Sequence, residues 1–567
     1  MRSLVIAILF LAALAVRLWG MAQGYPDFYG HVDEIGVAAS VWNFFRAATL
    51  QPTEFTYPAL YPYLMAFGIW ATAALGLLEL PAGGALLERI AFVSHTDPGW
   101  SALVGRTISA FASAGVVLLL YRLGRQIDGA KLGWTAAIFS AFALVPMRHA
   151  HHALPDSLTS LLGAAVVSAA WQISQRDDWR SYLWAGMFTG LLLATKFNGA
   201  FCAFSVVAAH AWRVGLAPNL LGFRLWGAGL IALTTSLLAS PYLLWSYENY
   251  LHVAQYQVSS LDFSLRQTSP WWWIPRQLAT EELVLGGWML AGIVLAMVRR
   301  QTFDLIALAA LVPAGLYIGS WTRESLHYLL PYYPGLLLLG ASACTTLSRR
   351  LAQGTVRRVV TISLLALTVT PNLWRALAEA ESLRLPDTRK LAADWIRTNV
   401  PAGSTLAMTW LPYGPRLDLI QVRTGLLNYY ATQPAWQEAL GMHWASEPAY
   451  RMVNLEVWLT EPVVPASLQD LVDLDDPETR RIFSRGWRSG KRLHADGVEF
   501  LVLPAAVYER YMGDGDPPEA PAALFRYQLN RAYFTNLLGA AGSDLVARIP
   551  NAGQSVRGSQ IDIYRLR

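Results

Sequence analysis

The chain has 567 residues, of which 54% are hydrophobic and only 15% charged, whereas a soluble domain of ordinary composition carries about 25% charge. The length alone would allow several soluble domains, but the apolar runs are too long and too many for that, and a net charge of +5 then says little about nucleic acid. The 23 Trp, 24 Tyr and 21 Phe suit interface belts, and the two cysteines, Cys202 and Cys344, fall in apolar runs and indicate no disulfide framework.

A membrane span needs about 20 mainly apolar residues. In chain order, such runs cover 3–22, 100–123, 132–148, 154–173, 181–195, 198–214, 224–246, 283–299, 303–320, 327–346 and 356–373. The sequence therefore predicts a polytopic α-helical membrane protein with about 11 transmembrane helices plus juxtamembrane helices. The first run follows Arg2 as a signal peptide would, but Arg17 interrupts it and no small-x-small cleavage site follows, so it is read as a span.

The first long loop, 23–99, contains His31-Val32-Asp33-Glu34, then Val37, Ala38, Val41, Trp42, Phe44 and Phe45 at helical spacing. An amphipathic helix of this kind lies in the interface plane and holds both carboxylates at the membrane surface. Asp33 and Glu34 are candidates for a general base; the plainer reading is an acidic first turn that suits the helix dipole. The stretch Tyr63–Leu78 is about 16 residues, short of a span, and follows Pro58 and Pro62. It is read as an interfacial or partly re-entrant helix.

Further along, Arg106 stands near the outer end of a span and is a weak candidate for a phosphate contact. Asp156, in His151-His152-Ala153-Leu154-Pro155-Asp156-Ser157, opens a long apolar helix. A carboxylate drawn to mid-membrane costs roughly 2.5–3.5 kcal/mol, so Asp156 is either a functional group or a helix start, which Pro155 also fits. His149, His151 and His152 match no zinc template and are read as a polar rim, with no metal expected. Lys196 interrupts an apolar stretch, where it either neutralises a lipid phosphate or snorkels to the surface. The loop 247–281 holds Trp271-Trp272-Trp273 with Tyr247, Tyr250 and Tyr256. These aromatics suit sugar stacking or, the preferred reading, interface anchoring. Arg323, Glu324, His327 and Tyr328 precede another span. Arg323 suits bidentate phosphate binding, or else a surface pair with Glu324.

Composition changes after the last span. Asp387 is a possible N-cap, with Leu391, Trp395 and Ile396 as a helical stripe behind it. Residues 404–408, 498–503 and 560–564 read as strands, and a helix containing Tyr508 and Tyr511 follows the second. This predicts a soluble mixed α/β domain over 376–567, separate from a membrane domain over 1–375. Alternating the spans puts Arg2 and the basic groups near 122–131, 176–180, 213–224, 299–300 and 349–358 on one side, cytoplasmic by the positive-inside rule. The loops 23–99 and 247–281 and the C-terminal domain then lie outside.

Carboxylates and cations gathered at one membrane face are what a phospho-sugar transferase requires, because the leaving phosphate develops charge and the attacking hydroxyl needs a base. The sequence resembles the GT-C-type glycosyltransferases over about 1–375, most of all the branch of protein O-mannosyltransferases and the bacterial lipid A aminoarabinose transferase. The resemblance is carried in order by Arg17, Asp33-Glu34, Tyr57-Pro58-Ala59-Leu60-Tyr61, Gly105-Arg106, Tyr121-Arg122-Leu123-Gly124-Arg125, Pro155-Asp156, Ala194-Thr195-Lys196 and His327-Tyr328-Leu329-Leu330-Pro331. It implies inverting transfer from a dolichyl- or undecaprenyl-type phosphate sugar to a hydroxyl of a protein, glycolipid or polysaccharide, with no cofactor and no tightly held metal. It implies Asp33 as base, Asp156 as a second acid, Lys196, Arg323, His327 and Arg106 as donor-phosphate contacts, and His31, Tyr57, His152 and Tyr328 as substrate-lining groups. The inserted sugar-binding domain of eukaryotic protein mannosyltransferases has no counterpart here, which favours the plasma (inner) membrane of a prokaryote. The competing classes are a transporter or lipid-handling protein, for which inverted repeats and ionisable groups deep in the bundle are lacking, and a non-catalytic scaffold, which would tolerate loss of both aspartates.

Overall fold

The computed structural model describes the chain apart from residues 1, 27–29, 82–83, 177, 216–221, 262–270, 322–323, 352, 410–412, 446, 456–492, 494, 514–516, 518–520, 541–543, 551–553 and 567. Up to residue 382 it is helical: α1 (Arg2–Leu18), α2 (Glu34–Arg46), α3 (Leu60–Ala74), α4 (Leu86–Thr96), α5 (Gly99–Phe142), α6 (Leu144–His149), α7 (Asp156–Gln175), α8 (Trp179–Leu193), α9 (Ala203–Val214), α10 (Phe223–Ala239), α11 (Tyr242–Trp245), α12 (Tyr247–Leu261), α13 (Trp273–Glu281), α14 (Leu283–Arg299), α15 (Thr302–Gly319), α16 (Tyr333–Leu351) and α17 (Gly354–Ser382). Short 3-10 segments stand at Phe197–Cys202 and Leu326–Tyr332.

Each predicted apolar run falls on described helices. Four of these, α5, α7, α15 and α17, are long and apolar enough to cross a membrane, while α1, α10 and α14 are apolar but shorter. Phe223, Leu238, Val298 and Trp374 are each more than three-quarters exposed, as residues facing lipid would be. The predicted runs 100–123 and 132–148 meet in α5, which breaks at Asp128 and Gly129. Gly129 has φ +79°, a conformation that favours glycine. α17 continues past the predicted boundary at 375 to Ser382, because no breaker follows Pro371 until Pro386.

The packing hub is α7, which lies against α5, α8, α9 and the 326–332 segment. Its small residues admit close neighbours: a side chain at Gly163 would overlap the Pro331 carbonyl. Burial on several sides explains how α7 begins with an enclosed carboxylate, Asp156.

After α17 the described chain forms α18 (Thr388–Asn399), β1 (Thr405–Met408), β2 (Asp418–Leu419), α19 (Ile420–Tyr429), α20 (Pro434–Trp444), β3 (Ala449–Asn454), β4 (Phe500–Pro504), α21 (Ala505–Met512), α22 (Pro521–Ala540), β5 (Leu545–Ile549) and β6 (Ile561–Arg565). The strands form one mixed sheet in the order β2-β3-β1-β4-β6-β5, parallel from β2 to β4 and antiparallel at β4–β6 and β6–β5. Alternation along the strands divides the core. Leu406, Met408, Val502 and Ile563 pack with Ile396 of α18, while Ala407, Leu501 and Leu503 pack with Tyr508, Tyr511 and Phe534. Asp387 caps α18 as predicted, accepting from the Arg389 N–H at 2.9 Å.

Candidate active site

Asp33 occupies the N-cap of α2, yet its side chain makes no capping hydrogen bond. It is nearly half exposed and stands 3.9 Å from His31 Nδ1. The Tyr57 hydroxyl donates to its Oδ2 at 3.3 Å. On the other side of Tyr57 lies Lys196, whose Nζ sits 5.0 Å from the Tyr57 ring centroid and 5.7 Å from that of Tyr328. Lys196 does not snorkel. It is buried, and donates to Asp156 Oδ1 at 2.8 Å. Asp156 is the buried first residue of α7. Asp33 and Asp156 are thus joined through Tyr57 and Lys196 in one cluster.

Histidines complete it. Ring centroids run from His31 to His152 (4.9 Å), His152 to His149 (5.9 Å), His149 to His327 (5.2 Å) and His327 to Tyr328 (4.0 Å). Burial pushes His149 down to about 3, against the opposing pull of Asp156. Burial likewise holds His152 well below its ordinary range, with Glu34 opposing. Both are neutral at physiological pH. Tyr57 is pushed up by burial and by the charges of Asp33 and Asp156, so it stays a donor. His149 was not among the residues expected in the site; its only signal was membership of the triple-histidine run. Among the described residues no three His, Cys, Asp or Glu side chains stand where they would share a metal ion.

Two of the expected site residues are engaged with each other. Glu34 is fully buried and turned away from Asp33. Its Oε1 accepts from Arg106 Nε at 2.9 Å and Ala153 N at 2.7 Å; its Oε2 accepts from Arg106 Nη2 and Gly30 N at 2.7 Å and from His31 N at 3.2 Å. A carboxylate with five donors around it is not placed to take a proton from an acceptor. Arg106, offered as a phosphate contact, is buried and has all three nitrogens engaged, its Nη1 donating to the carbonyls of Met21 and Gln23 at 2.9 and 2.7 Å. Together the two form a latch between the first loop, α5 and the turn before α7. Arg323 lies outside the described residues, and the neighbouring Glu324 pairs with Arg276 at 3.2 Å. In the tryptophan triplet, Trp271 and Trp272 are exposed but Trp273 is buried, donating to the Gly319 carbonyl at 3.1 Å.

The turn bearing His149 and His152 is held from behind by residues that the sequence did not single out. Glu282 is buried and accepts from Leu144 N and Val145 N, both at 2.9 Å, and from Asn372 Nδ2 at 2.8 Å. It satisfies the otherwise unpaired first N–H groups of α6. Arg148 bridges Glu281 at 2.9 Å and Glu379 at 2.7 Å.

The family model described as dolichyl-phosphate-mannose-protein mannosyltransferase matches residues 90–245. No curated protein sequence matches the chain. Among solved structures, the chain is similar to ArnT from Cupriavidus metallidurans in the apo state, at 12% identity over 99% of this chain and 98% of that chain, with a TM-score of 0.53. The same protein bound to undecaprenyl phosphate gives 11% identity over 98% and 97%, with a TM-score of 0.50. The Archaeoglobus fulgidus oligosaccharyltransferase in the apo form gives 12% over 93% and 72%, with a TM-score of 0.50. At such identities the likeness is one of fold. The resemblance drawn from the sequence is borne out: the chain has the fold of the GT-C-type glycosyltransferases and, within 90–245, the sequence signature of their protein mannosyltransferase branch.

Proposed function

We propose that the protein transfers a sugar from a polyprenyl-phosphate carrier to an acceptor hydroxyl at the outer face of the membrane, by direct displacement with inversion. One observation carries the reading: an exposed carboxylate, Asp33, and a buried lysine–carboxylate pair, Lys196 with Asp156, meet across Tyr57. The acceptor oxygen must lose its proton as it attacks the anomeric carbon, and the carrier phosphate must leave with its charge stabilised. Asp33 is accessible to an arriving hydroxyl and takes the proton. Lys196 has three N–H donors, of which Asp156 engages one, so it can still bind phosphate while Asp156 fixes its position. His149 and His152, being neutral, offer hydrogen bonds and no positive charge, so the cation role falls to Lys196, with Arg323 as its expected companion. His31, His152, Tyr57 and Tyr328 line the substrate, and His327 is a further phosphate contact.

The proposed orientation is supported by the kink of α5 at Asp128 and Gly129. Asp128 pairs with Arg349 at 2.7 Å, and Arg349, Arg357 and Arg358 all act on Lys131. Two of the basic groups therefore share one end of the molecule. About 22 residues of helix, roughly 33 Å, separate Arg106 from Asp128, close to the ~30 Å of a bilayer core. The positive-inside rule makes the basic end cytoplasmic. On this proposal the cluster and the α/β domain over 376–567 face the outer side of a prokaryote's inner membrane.

A strain lacking the protein is expected to accumulate a polyprenyl-phosphate sugar, read by mass spectrometry of its membrane lipids; unchanged lipids would overturn the reading. Lys196→Met is expected to weaken binding of polyprenyl phosphate about 10–100-fold, the worth of hydrogen bonds to a charged group. The paired variant Asp156→Asn/Lys196→Met, which leaves no lone charge buried, controls for folding. Wild-type affinity in that variant removes Lys196 from the phosphate site.

A further inference from the structure

Three contacts tie the C-terminal region to the first outer loop. Tyr430, Trp436 and Leu440 pack around Phe92 of α4. Arg416 donates to the carbonyls of Pro26 at 2.9 Å and Thr96 at 3.4 Å. Arg557 Nη1 donates to Gln23 Oε1 at 2.5 Å.

The third contact leads into the site. Gln23 is almost fully buried, and its Nε2 donates to the His151 carbonyl at 3.0 Å while its own carbonyl accepts from Arg106 at 2.7 Å. Arginine only donates and a carbonyl only accepts, so the Gln23 amide has one orientation that satisfies both neighbours. Arg106 holds Glu34, the residue after Asp33, and the His151 carbonyl belongs to the turn that carries His149 and His152. Arg557 is itself fixed in advance. Its Nη2 donates to Asp387 Oδ2 at 2.6 Å, its N–H donates to the Pro386 carbonyl at 2.9 Å, and its carbonyl accepts from Thr388 N at 2.8 Å. The C-terminal region thus presents a preordered guanidinium to a side chain that links the loop bearing Asp33 to the turn bearing the histidines.

We propose that Arg557 is a positioning residue for sugar transfer, acting through Gln23 to hold Asp33 and the histidine turn in register. The proposal rests on Asp33 being the base, and it gives the C-terminal region a part in the reaction without contact with substrate. Arg557→Ala removes the donor on Gln23 Oε1 and leaves the Lys196–Asp156 pair untouched. Small displacements of a reacting group are enough to cost up to about 10²-fold in rate, so the expected effect is a fall in kcat of about tenfold with KM for the lipid donor unchanged.

The test uses the full-length protein in detergent or nanodiscs. Arg557→Ala and Gln23→Leu are each expected to lower kcat, and the double variant to be no slower than the worse single, because both cut the same link. Arg557→Lys, which keeps the charge but not the planar fork that serves Gln23 and Asp387 through separate nitrogens, is expected to recover part of the rate. Hydrogen–deuterium exchange over residues 19–26 and 30–36 is expected to rise in Arg557→Ala. An unchanged kcat in the folded variant, a KM effect without a kcat effect, or multiplicative losses in the double variant would overturn the proposal. Should the wild-type protein transfer no sugar, the functional reading fails, and the exchange measurement still judges the link: protection unaltered by Arg557→Ala would overturn it independently.

Discussion

Asp33→Asn is expected to lower the rate of sugar transfer by about 10²–10⁴-fold, the usual cost of losing a general base, while the protein inserts and melts as the wild type does. The two halves of that expectation have separate grounds. Asparagine keeps the shape of aspartate and still accepts from the Tyr57 hydroxyl, but it cannot take a proton from an acceptor. The folded state asks little of this side chain: it caps no helix N–H, is nearly half exposed, and holds one long hydrogen bond at 3.3 Å. Substitutions at such positions usually move stability by no more than about 0.5 kcal/mol. Transfer from a polyprenyl-phosphate sugar by the purified variant, with its melting curve alongside, checks both. A wild-type rate in a folded Asp33→Asn protein would remove Asp33 from the chemistry. Asp33→Glu, which restores a base on a longer arm, is expected to recover part of the activity.

What could be read in the sequence divides along the range of the forces involved. Apolar runs, the Asp387 cap, the strands read at 404–408, 498–503 and 560–564, and the polar interruptions of the spans are local signals, set by periodicity and turn chemistry, and each has its counterpart in the structure. Lys196 and Asp156 drew notice because charges are rare in apolar surroundings, but nothing local said that they pair across 40 residues. Glu282, Arg148, Gln23 and Arg557 went unremarked for the same reason: each looked like ordinary loop polarity until its distant partners were in place. The neighbours Asp33 and Glu34 teach the sharpest lesson. Adjacent residues at a helix start point about 100° apart, so one side chain turns outward to Tyr57 and the other inward to Arg106. An acidic pair read as one unit is two side chains in different surroundings.

That inward residue carries the largest expected effect on stability. Glu34 and Arg106 are both almost fully buried, and removing one member of such a pair typically costs 3–5 kcal/mol, since the survivor is left charged and unmatched. Arg106→Met strands a carboxylate that keeps the N–H groups of Gly30, His31 and Ala153 but no cation. Glu34→Gln strands a guanidinium with two carbonyls. The double variant Glu34→Gln/Arg106→Met buries no net charge and is expected to be more stable than Arg106→Met alone, a non-additivity that unfolding in mixed detergent–SDS micelles would measure. The pair also sets a pH window. Burial opposes ionisation of Glu34, but the charge and hydrogen bonds of Arg106, with help from Ala153 N–H, outweigh it and hold the carboxyl down to about 2 from an ordinary value of 4.5. A carboxyl with a lower pKa in the folded state stabilises it above the unfolded value, and that stability is lost as pH falls from about 4.5 towards 2. Wild-type protein is therefore expected to weaken across that window more steeply than Glu34→Gln, which has no carboxylate to protonate there. Equal slopes for the two proteins would mean that the latch contributes nothing to the fold, and with it would go the reason for excluding Glu34 as a base.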